Sequence, residues 1–349
     1  MIDLQLSSYD YHLPPNLIAT FPAMPRESAK LLVYDRQKDT ITHSDFFHFY
    51  DFVPSDTLFV LNDTKVIKAR MYGNKIHADH TLGGQVEVFY HRHIAHHQFL
   101  VQIKGRVKVG QTISLSPNLT LQVQELLEDG FRIVSFELDS RPISPSELLC
   151  EIEKIGHIPL PPYIKRQDRP LDAQEYQSVF AKNLGSVAAP TASLHFSQID
   201  QILQHFKHCF VTLNVGAGTF LSVQTPDIRD HQIHTESFAL SNESYRNITQ
   251  ASHILCIGTT TARVVEYLHR NPPTHTTQSH IYGECDLFLH PHNPPQKINA
   301  LLTNFHLPKS TLIMLVSSLV GRKKCLEIYQ EAIQAQYRFY SYGDGMLIL

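Results

Sequence analysis

The chain is poor in cysteine, in net positive charge and in long apolar runs, and each shortage closes off a class of protein. Its five cysteines, Cys150, Cys209, Cys256, Cys285 and Cys325, are odd in number and include no C-x-x-C pair. That argues against a disulfide framework or a cysteine-built zinc site and for buried thiols in a reducing compartment. Thirty basic residues stand against 33 acidic ones, a formal charge of −3. A protein that coats itself nonspecifically in nucleic acid should be far more basic, although a local basic patch is allowed. The longest apolar run, 312–320, is interrupted by Ser317 and Ser318. It is too short for a bilayer, which takes roughly 20 residues. Met1-Ile2-Asp3-Leu4 carries neither the basic start nor the apolar stretch of a signal peptide. The expectation is a soluble, cytoplasmic chain with no membrane partner and no internal repeat.

What is present is ample for a large core. Of 349 residues, 42% are hydrophobic and 10% aromatic, which excludes wholesale disorder. Histidine is abundant at 22, and runs such as His91, His93, His96 and His97 read as exposed. Up to about Gly73 short strands at 31–34 and 58–61 mix with polar loops. From Gly83 to about Leu138 the pattern is almost all β: Val86, Val88 and Tyr90 alternate with Gln85, Glu87 and Phe89, and runs at 99–103, 112–115, 119–127 and 131–138 are parted by turn signals. Short strands at that spacing predict a small barrel or sandwich. Beyond Pro145 helices return. Ser146 is placed to cap a helix through Ile155, Ser197 another with Asp200 in the capping-box position, and Ser310 an apolar helix closed by Gly321. Apolar strands at 209–215 and 254–257 each run into a small-residue loop, the second followed by a helix over 262–270. The fold class expected is α/β: a layered, discontinuous main domain of residues 1–73 and 146–349, with an antiparallel β-barrel of residues 74–145 inserted into it.

Several polar stretches exceed what such a scaffold needs. Gly216-Ala217-Gly218-Thr219 follows a strand and brings backbone N–H groups together with little side chain in the way, suiting a carboxylate, a phosphate or a flat ring, or simply a tight strand exit. It lacks the third glycine of a dinucleotide fingerprint. Gly258-Thr259-Thr260-Thr261 with Arg263 one turn on makes an anion socket at a helix start, without the Gly-Lys-Ser/Thr of a P-loop. His231, His234 and Glu236 suit proton transfer, ligand binding or, less readily, zinc. Asn304, His306 and Lys309 crowd a helix start that needs only Ser310 as its cap. Asn62, Asp63 and Lys65, with Arg70 beyond, follow a strand where α/β ligands bind. The 188–196 loop, with Thr191 and His195, is small enough for a ligand to approach its backbone, or for close packing alone.

Together these segments resemble the S-adenosylmethionine:tRNA ribosyltransferase-isomerases of queuosine biosynthesis nearly end to end. The resemblance rests on Asn62-Asp63-Thr64-Lys65-Val66 with Ala69-Arg70, on Ile158-Pro159-Leu160-Pro161-Pro162-Tyr163, on 188–196, on Gly258-Thr259-Thr260 with Arg263 and Glu266, on Ser341-Tyr342-Gly343-Asp344, and above all on Thr303-Asn304-Phe305-His306-Leu307-Pro308-Lys309-Ser310-Thr311. It implies an α/β domain with an inserted barrel. It also implies transfer and isomerisation of the ribosyl part of S-adenosylmethionine onto 7-aminomethyl-7-deazaguanine at the tRNA wobble position, releasing adenine and methionine. S-adenosylmethionine is then a consumed substrate, and neither cofactor nor metal is expected; the partner is the tRNA bearing that base, and the enzyme is expected to be a monomer.

A sulfonium acidifies the neighbouring C5′ protons, so the reaction wants a general base; His195, His231, His234, Glu236 and His306 are the candidates. Binding is expected of Asn62, Asp63, Lys65, Arg70, Thr191, Gly216, Gly218, Thr219, Thr259, Thr260, Arg263, Asn304 and Lys309. Thr259, Thr260 and Arg263 are suited to the methionine carboxylate, and Lys65, Arg70 and Lys309 to it or to phosphates. The chain departs from the family pattern at Asn214, where a His is usual, at Cys285, where a Thr is usual, and at 290–295. Two rivals are a noncatalytic RNA-binding module and a zinc-dependent hydrolase built on His231, His234 and Glu236.

Overall fold

The computed structural model describes residues 2–216, 223–273 and 279–349. They fall into two compact units, one of Met1–Lys65, Glu175–Asn183 and Ala189–Leu349, the other of Val66–Gln174 with Leu184–Ala188. The first unit opens with strands β1 (Lys30–Asp35), β2 (Thr40–Asp45) and β3 (Leu58–Asn62). The chain then builds the second unit from β4 (Arg70–Ile76), β5 (Leu82–Ala95), β6 (Gln98–Lys104), β7 (Thr112–Ser114), β8 (Leu119–Leu126) and β9 (Phe131–Leu138). It returns to the first with β10 (Lys207–Leu213), β11 (Glu236–Ser241), β12 (Ile254–Ile257), β13 (His280–Cys285), β14 (Ala300–Asn304) and β15 (Gly345–Ile348).

In the second unit the six strands close on themselves in the order β9-β6-β5-β4-β7-β8, with β8 pairing back onto β9, all antiparallel. The alternation seen in sequence is the barrel's inside and outside: Val86, Val88 and Tyr90 are buried with Phe99, Val101, Ile113, Leu121, Val134 and Phe136. Gly73 lets β4 press against β7, since a Cβ there would lie 2.6 Å from the Ser114 carbonyl oxygen. Helix α1 (Pro145–Ile155) belongs to this unit, which is therefore wider than 74–145. Its cap is Ser144, not Ser146. Counted from Ser144, Pro145 takes the first helical position, where a missing N–H costs nothing, and Glu147 sits at N3, where its carboxylate accepts from Ser144 N at 3.0 Å. Counted from Ser146, N3 is Leu149, which has nothing to return.

The main unit is built on a nine-stranded mixed sheet, in the order β13-β11-β10-β3-β12-β14-β15-β1-β2. Strands β10, β3, β12 and β14 are mutually parallel. β3, β12, β14 and β15 are buried along their whole length, which is why they read as unbroken apolar runs rather than as alternation. The core includes Phe46, Phe49, Phe59, Leu61, Phe196, Leu255, Ile257, Leu302 and Leu347. Around the sheet run α2 (Asn242–Gln250), α3 (Thr259–Arg270), α4 (Thr311–Val320) and α5 (Arg322–Gln334). Ser310 caps α4 as expected, accepting from Ile313 N at 3.3 Å, and Gly321, at φ +82°, ends it. Ser197 caps nothing: its backbone N and hydroxyl both bond the Glu27 carboxylate, and the short helix Asp200–His205 has no side-chain cap. The cysteines are free thiols, buried at Cys209, Cys256, Cys285 and Cys325 and exposed at Cys150.

Candidate active site at the parallel strand ends

Because β10, β3, β12 and β14 run the same way, their carboxyl ends open on one edge of the sheet. There the chain leaves as Asn214–Gly216, Asn62–Asp63, Gly258–Thr260 and Asn304–His306. This is the edge at which open α/β sheets take their ligands. At Gly258 the backbone adopts φ +98°, which only glycine holds without strain, and α3 starts at Thr259, three residues ahead of the expected Ala262. A Cβ on Gly258 would lie 3.7 Å from Cβ of Ala192, so the 188–196 loop passes over the same strand end.

Asn62 and Asp63 prove to be fasteners. The buried Asn62 amide donates to the Leu213 carbonyl at 3.1 Å and to Thr260 Oγ1 at 3.4 Å, while its oxygen accepts from Thr64 N and Leu213 N. It is fully satisfied and ties β3 to β10 and α3. Asp63 accepts from the Thr212 hydroxyl and the Asn183 amide. Lys65 is exposed. At the variant position, Asn214 Oδ1 accepts the Thr64 hydroxyl at 2.8 Å. A carboxamide has no proton-accepting role near neutral pH, so the base lies elsewhere.

The expected anion socket takes a different form. Arg263 is buried and all three faces of its guanidinium are committed: Nη1 to Glu236, Nε to the Leu287 carbonyl at 3.1 Å, and Nη2 to the Cys285 carbonyl at 3.2 Å. Glu236 is buried too and also accepts the Gly216 N–H at 3.1 Å. The pair is a neutral clamp joining the β10 loop to α3, not an open charge awaiting a carboxylate. Of the three hydroxyls, Thr261 donates back to the Gly258 carbonyl and Thr260 takes the Asn62 amide. Cys285 holds Arg263 through its carbonyl, a contact that does not depend on which side chain stands there. His231, His234, Glu236, Arg263, Phe288, Thr311 and Leu312 line a cleft with about 30 Å³ of free volume. His231 packs edge-on to Phe288 at 5.9 Å, and burial, helped by His234, holds its pKa below the ordinary value. Among the described residues no three His, Cys, Asp or Glu side chains converge as for a metal.

Thr191, His195 and Asn304 come together although 113 residues separate the first from the last. The Thr191 hydroxyl donates to Asn304 Oδ1 at 3.1 Å, and Asn304 Nδ2 lies 3.2 Å from His195 Nε2 and 3.2 Å from the Tyr340 carbonyl. The His195 ring stacks on Phe46, with centroids 4.0 Å apart and planes 13° off parallel. His306 faces inward: Nε2 meets the Thr303 hydroxyl at 2.8 Å, and its backbone joins the hydroxyls of Tyr329 and Tyr11. Burial pushes both imidazoles down to about 3, with Arg338 and Arg26 adding to the effect at His195. Lys309 pairs with Asp10 at 2.5 Å. Arg70 lies in the other unit, donating to the Leu160 carbonyl and facing Glu87. Gly216 is at the edge; Gly218 and Thr219 lie outside the described residues. Phe46 and the Tyr340 carbonyl were not legible as site residues, since an aromatic in a hydrophobic stretch and a main-chain oxygen carry no pattern of their own.

A family model described as queuosine biosynthesis protein matches residues 6–348. An S-adenosylmethionine:tRNA ribosyltransferase-isomerase of Helicobacter pylori (strain J99 / ATCC 700824) is 54% identical over 353 residues, covering 100% of both chains. One from Helicobacter hepaticus (strain ATCC 51449 / 3B1) is 54% identical over 361 residues, covering 99% of this chain and 97% of that one. The crystal structure of an S-adenosylmethionine tRNA ribosyltransferase from Thermotoga maritima, 28% identical, superposes with a TM-score of 0.52 over 98% of this chain and 100% of the other.

Proposed function

The chain belongs to the queuosine biosynthesis protein family, and on that premise we propose that the parallel strand ends are where S-adenosylmethionine reacts with the wobble base of tRNA. The enzyme is an S-adenosylmethionine:tRNA ribosyltransferase-isomerase. It moves the ribosyl moiety onto 7-aminomethyl-7-deazaguanine in tRNA and isomerises it to the epoxycyclopentanediol of epoxyqueuosine, with adenine and methionine leaving. One observation carries the placement: a histidine, an asparagine, a threonine and a glycine-bounded helix start, drawn from distant segments, meet at the edge where four parallel strands end.

Removal of a C5′ proton next to the sulfonium needs an unprotonated base with a free lone pair. Glu236 is committed to Arg263, and the Nε2 atoms of His195 and His306 are engaged. That leaves His231 and His234, which line the same cleft; His231 is the half-buried one, packed against Phe288 and held below its ordinary pKa by burial, and the proposal gives it the proton. S-adenosylmethionine is consumed, so the proposal includes no cofactor and no metal. It also includes a monomer, checked by light scattering, and a cytoplasmic setting, which suits four buried unpaired thiols. The experiment is to incubate the chain with S-adenosylmethionine and tRNA bearing the aminomethyl base, following adenine release and the mass of the modified nucleoside. Release of one adenine per nucleoside converted, undiminished by exhaustive chelation, is expected. His231→Gln should lower kcat by about two orders of magnitude, the usual worth of a general base. Wild-type kcat in that variant would remove His231 from the role, and zinc-restorable loss on chelation would bring back the hydrolase-like reading.

A further inference from the structure

The hydrogen bonds around Asn304 fix a proton. The Tyr340 carbonyl can only accept, so the Asn304 amide nitrogen, not its oxygen, must face it at 3.2 Å. Thr191, donating to Asn304 Oδ1, agrees with that orientation. The same nitrogen lies 3.2 Å from His195 Nε2 and has a second N–H to give. Nε2 must therefore be the bare, accepting nitrogen, and the ring's single proton sits on Nδ1. An imidazolium would set N–H against N–H at this contact. The stack on Phe46 holds the ring plane, and Gly345 keeps room for that stack, since a Cβ there would run into the Phe46 ring. His195 Nδ1 makes no hydrogen bond with any described residue.

We propose that His195 serves the reaction as a neutral hydrogen-bond donor through Nδ1–H, directed at a ring nitrogen of the departing adenine, and that Asn304 is the positioning residue that locks this tautomer. This rests on placing the reaction at the strand ends. A group denied its second proton by geometry cannot be the base that starts the reaction. A flat, uncharged donor stacked on an aromatic ring suits a purine better than a carboxylate, and adenine gathers negative charge on its ring nitrogens as it leaves. The depressed basicity of the ring, with Arg26 and Arg338 the charges it senses, is consistent with the lock.

The test joins spectroscopy and kinetics. Long-range proton–nitrogen NMR correlations on the histidine-labelled chain, with His195 assigned through its contact with Phe46, should give the pattern of the Nδ1–H tautomer, unchanged from pH 5 to 8. Asn304→Asp offers Nε2 a carboxylate to donate to; it should move His195 to the other tautomer or to the cation, and lower kcat about 100-fold, the typical worth of a preorganised donor. KM for S-adenosylmethionine should change far less. A carboxamide on an Asn side chain falls near the place of Nδ1, and on a Gln side chain near Nε2. His195→Asn should therefore retain more than ten times the kcat of His195→Gln. An Nε2–H or charged His195 in the wild-type chain at neutral pH overturns the lock, even if no variant folds. A Gln variant as active as the Asn variant overturns the Nδ1 donor. Wild-type kcat in all three variants takes down the strand-end site itself, whatever tautomer the spectrum gives.

Discussion

Arg263 and Glu236 neutralise one another out of water, and that alters what a substitution there reports. Removing one partner of a buried pair leaves the other charge stranded, which costs about 3–5 kcal/mol. Arg263→Ala should accordingly lose about that much unfolding free energy in urea titration, with any rise in KM for S-adenosylmethionine following from the displaced loop. Full stability with only a raised KM would restore the open socket. His195 and His306 give the folded chain a signature in acid. Each has an ordinary value near 6.5 when unfolded and is held at about 3 when folded. Below pH 6.5 the unfolded chain takes up a proton at each that the folded chain refuses, so stability falls as pH drops through the window from 6.5 to 3. At pH 5 the loss is about 2 kcal/mol per imidazole. Urea unfolding at pH 7 and pH 5 should show it, and His306→Gln, which keeps a partner for Thr303, should shrink the difference by that amount. An unchanged difference would mean that His306 protonates freely in the folded chain.

Among the elements, the helix starts test local rules most directly. Ser144→Ala should cost about 1 kcal/mol, as loss of an N-cap does, while Ser146→Ala, which removes only an exposed 3.3 Å contact with the Ser144 hydroxyl, should stay within about 0.5 kcal/mol. Thermal unfolding of the two variants separates them; equal effects would contradict the capping box. The strands were legible because buried parallel strands are unbroken apolar runs and barrel strands alternate, as 254–257 and 86–90 do. Helix limits were less so. Two serines two residues apart both look like caps until Pro145 and Glu147 are counted from each, and Ser197 was claimed by a carboxylate 170 positions away.

For the whole molecule the question is how a chain of net charge −3 meets tRNA. Protonation of its 22 histidines would turn it strongly positive, but not all of them take part. His91 is held at about 4 by burial, so the exposed reading of that run fails at its first member, and His195, His306, His231 and His290 are also held down. Others in the run, His96 and His97, are exposed. Binding of tRNA without turnover should strengthen from pH 7.5 to 6.2, with a steeper salt dependence at the lower pH, because each added cation contacting phosphate releases counterions. Equal affinities and slopes at both values would show that histidine has no part in capturing tRNA.

The sequence alone determined the layered α/β unit, the inserted barrel and the family, because periodicity, turn residues and contiguous motifs are local properties that no distant contact needs to complete. It also marked Thr191, His195 and Asn304, each inside a dense polar segment. Only the tertiary structure decided what those residues do. Whether Arg263 is an open cation or half of a clamp depends on Glu236, 27 positions earlier. Whether His195 can accept a proton depends on Asn304, 109 positions later, and on a main-chain oxygen beyond it. Protonation and free valence are set by the partners that folding delivers, and in an α/β sheet those partners come from strands far apart in the chain.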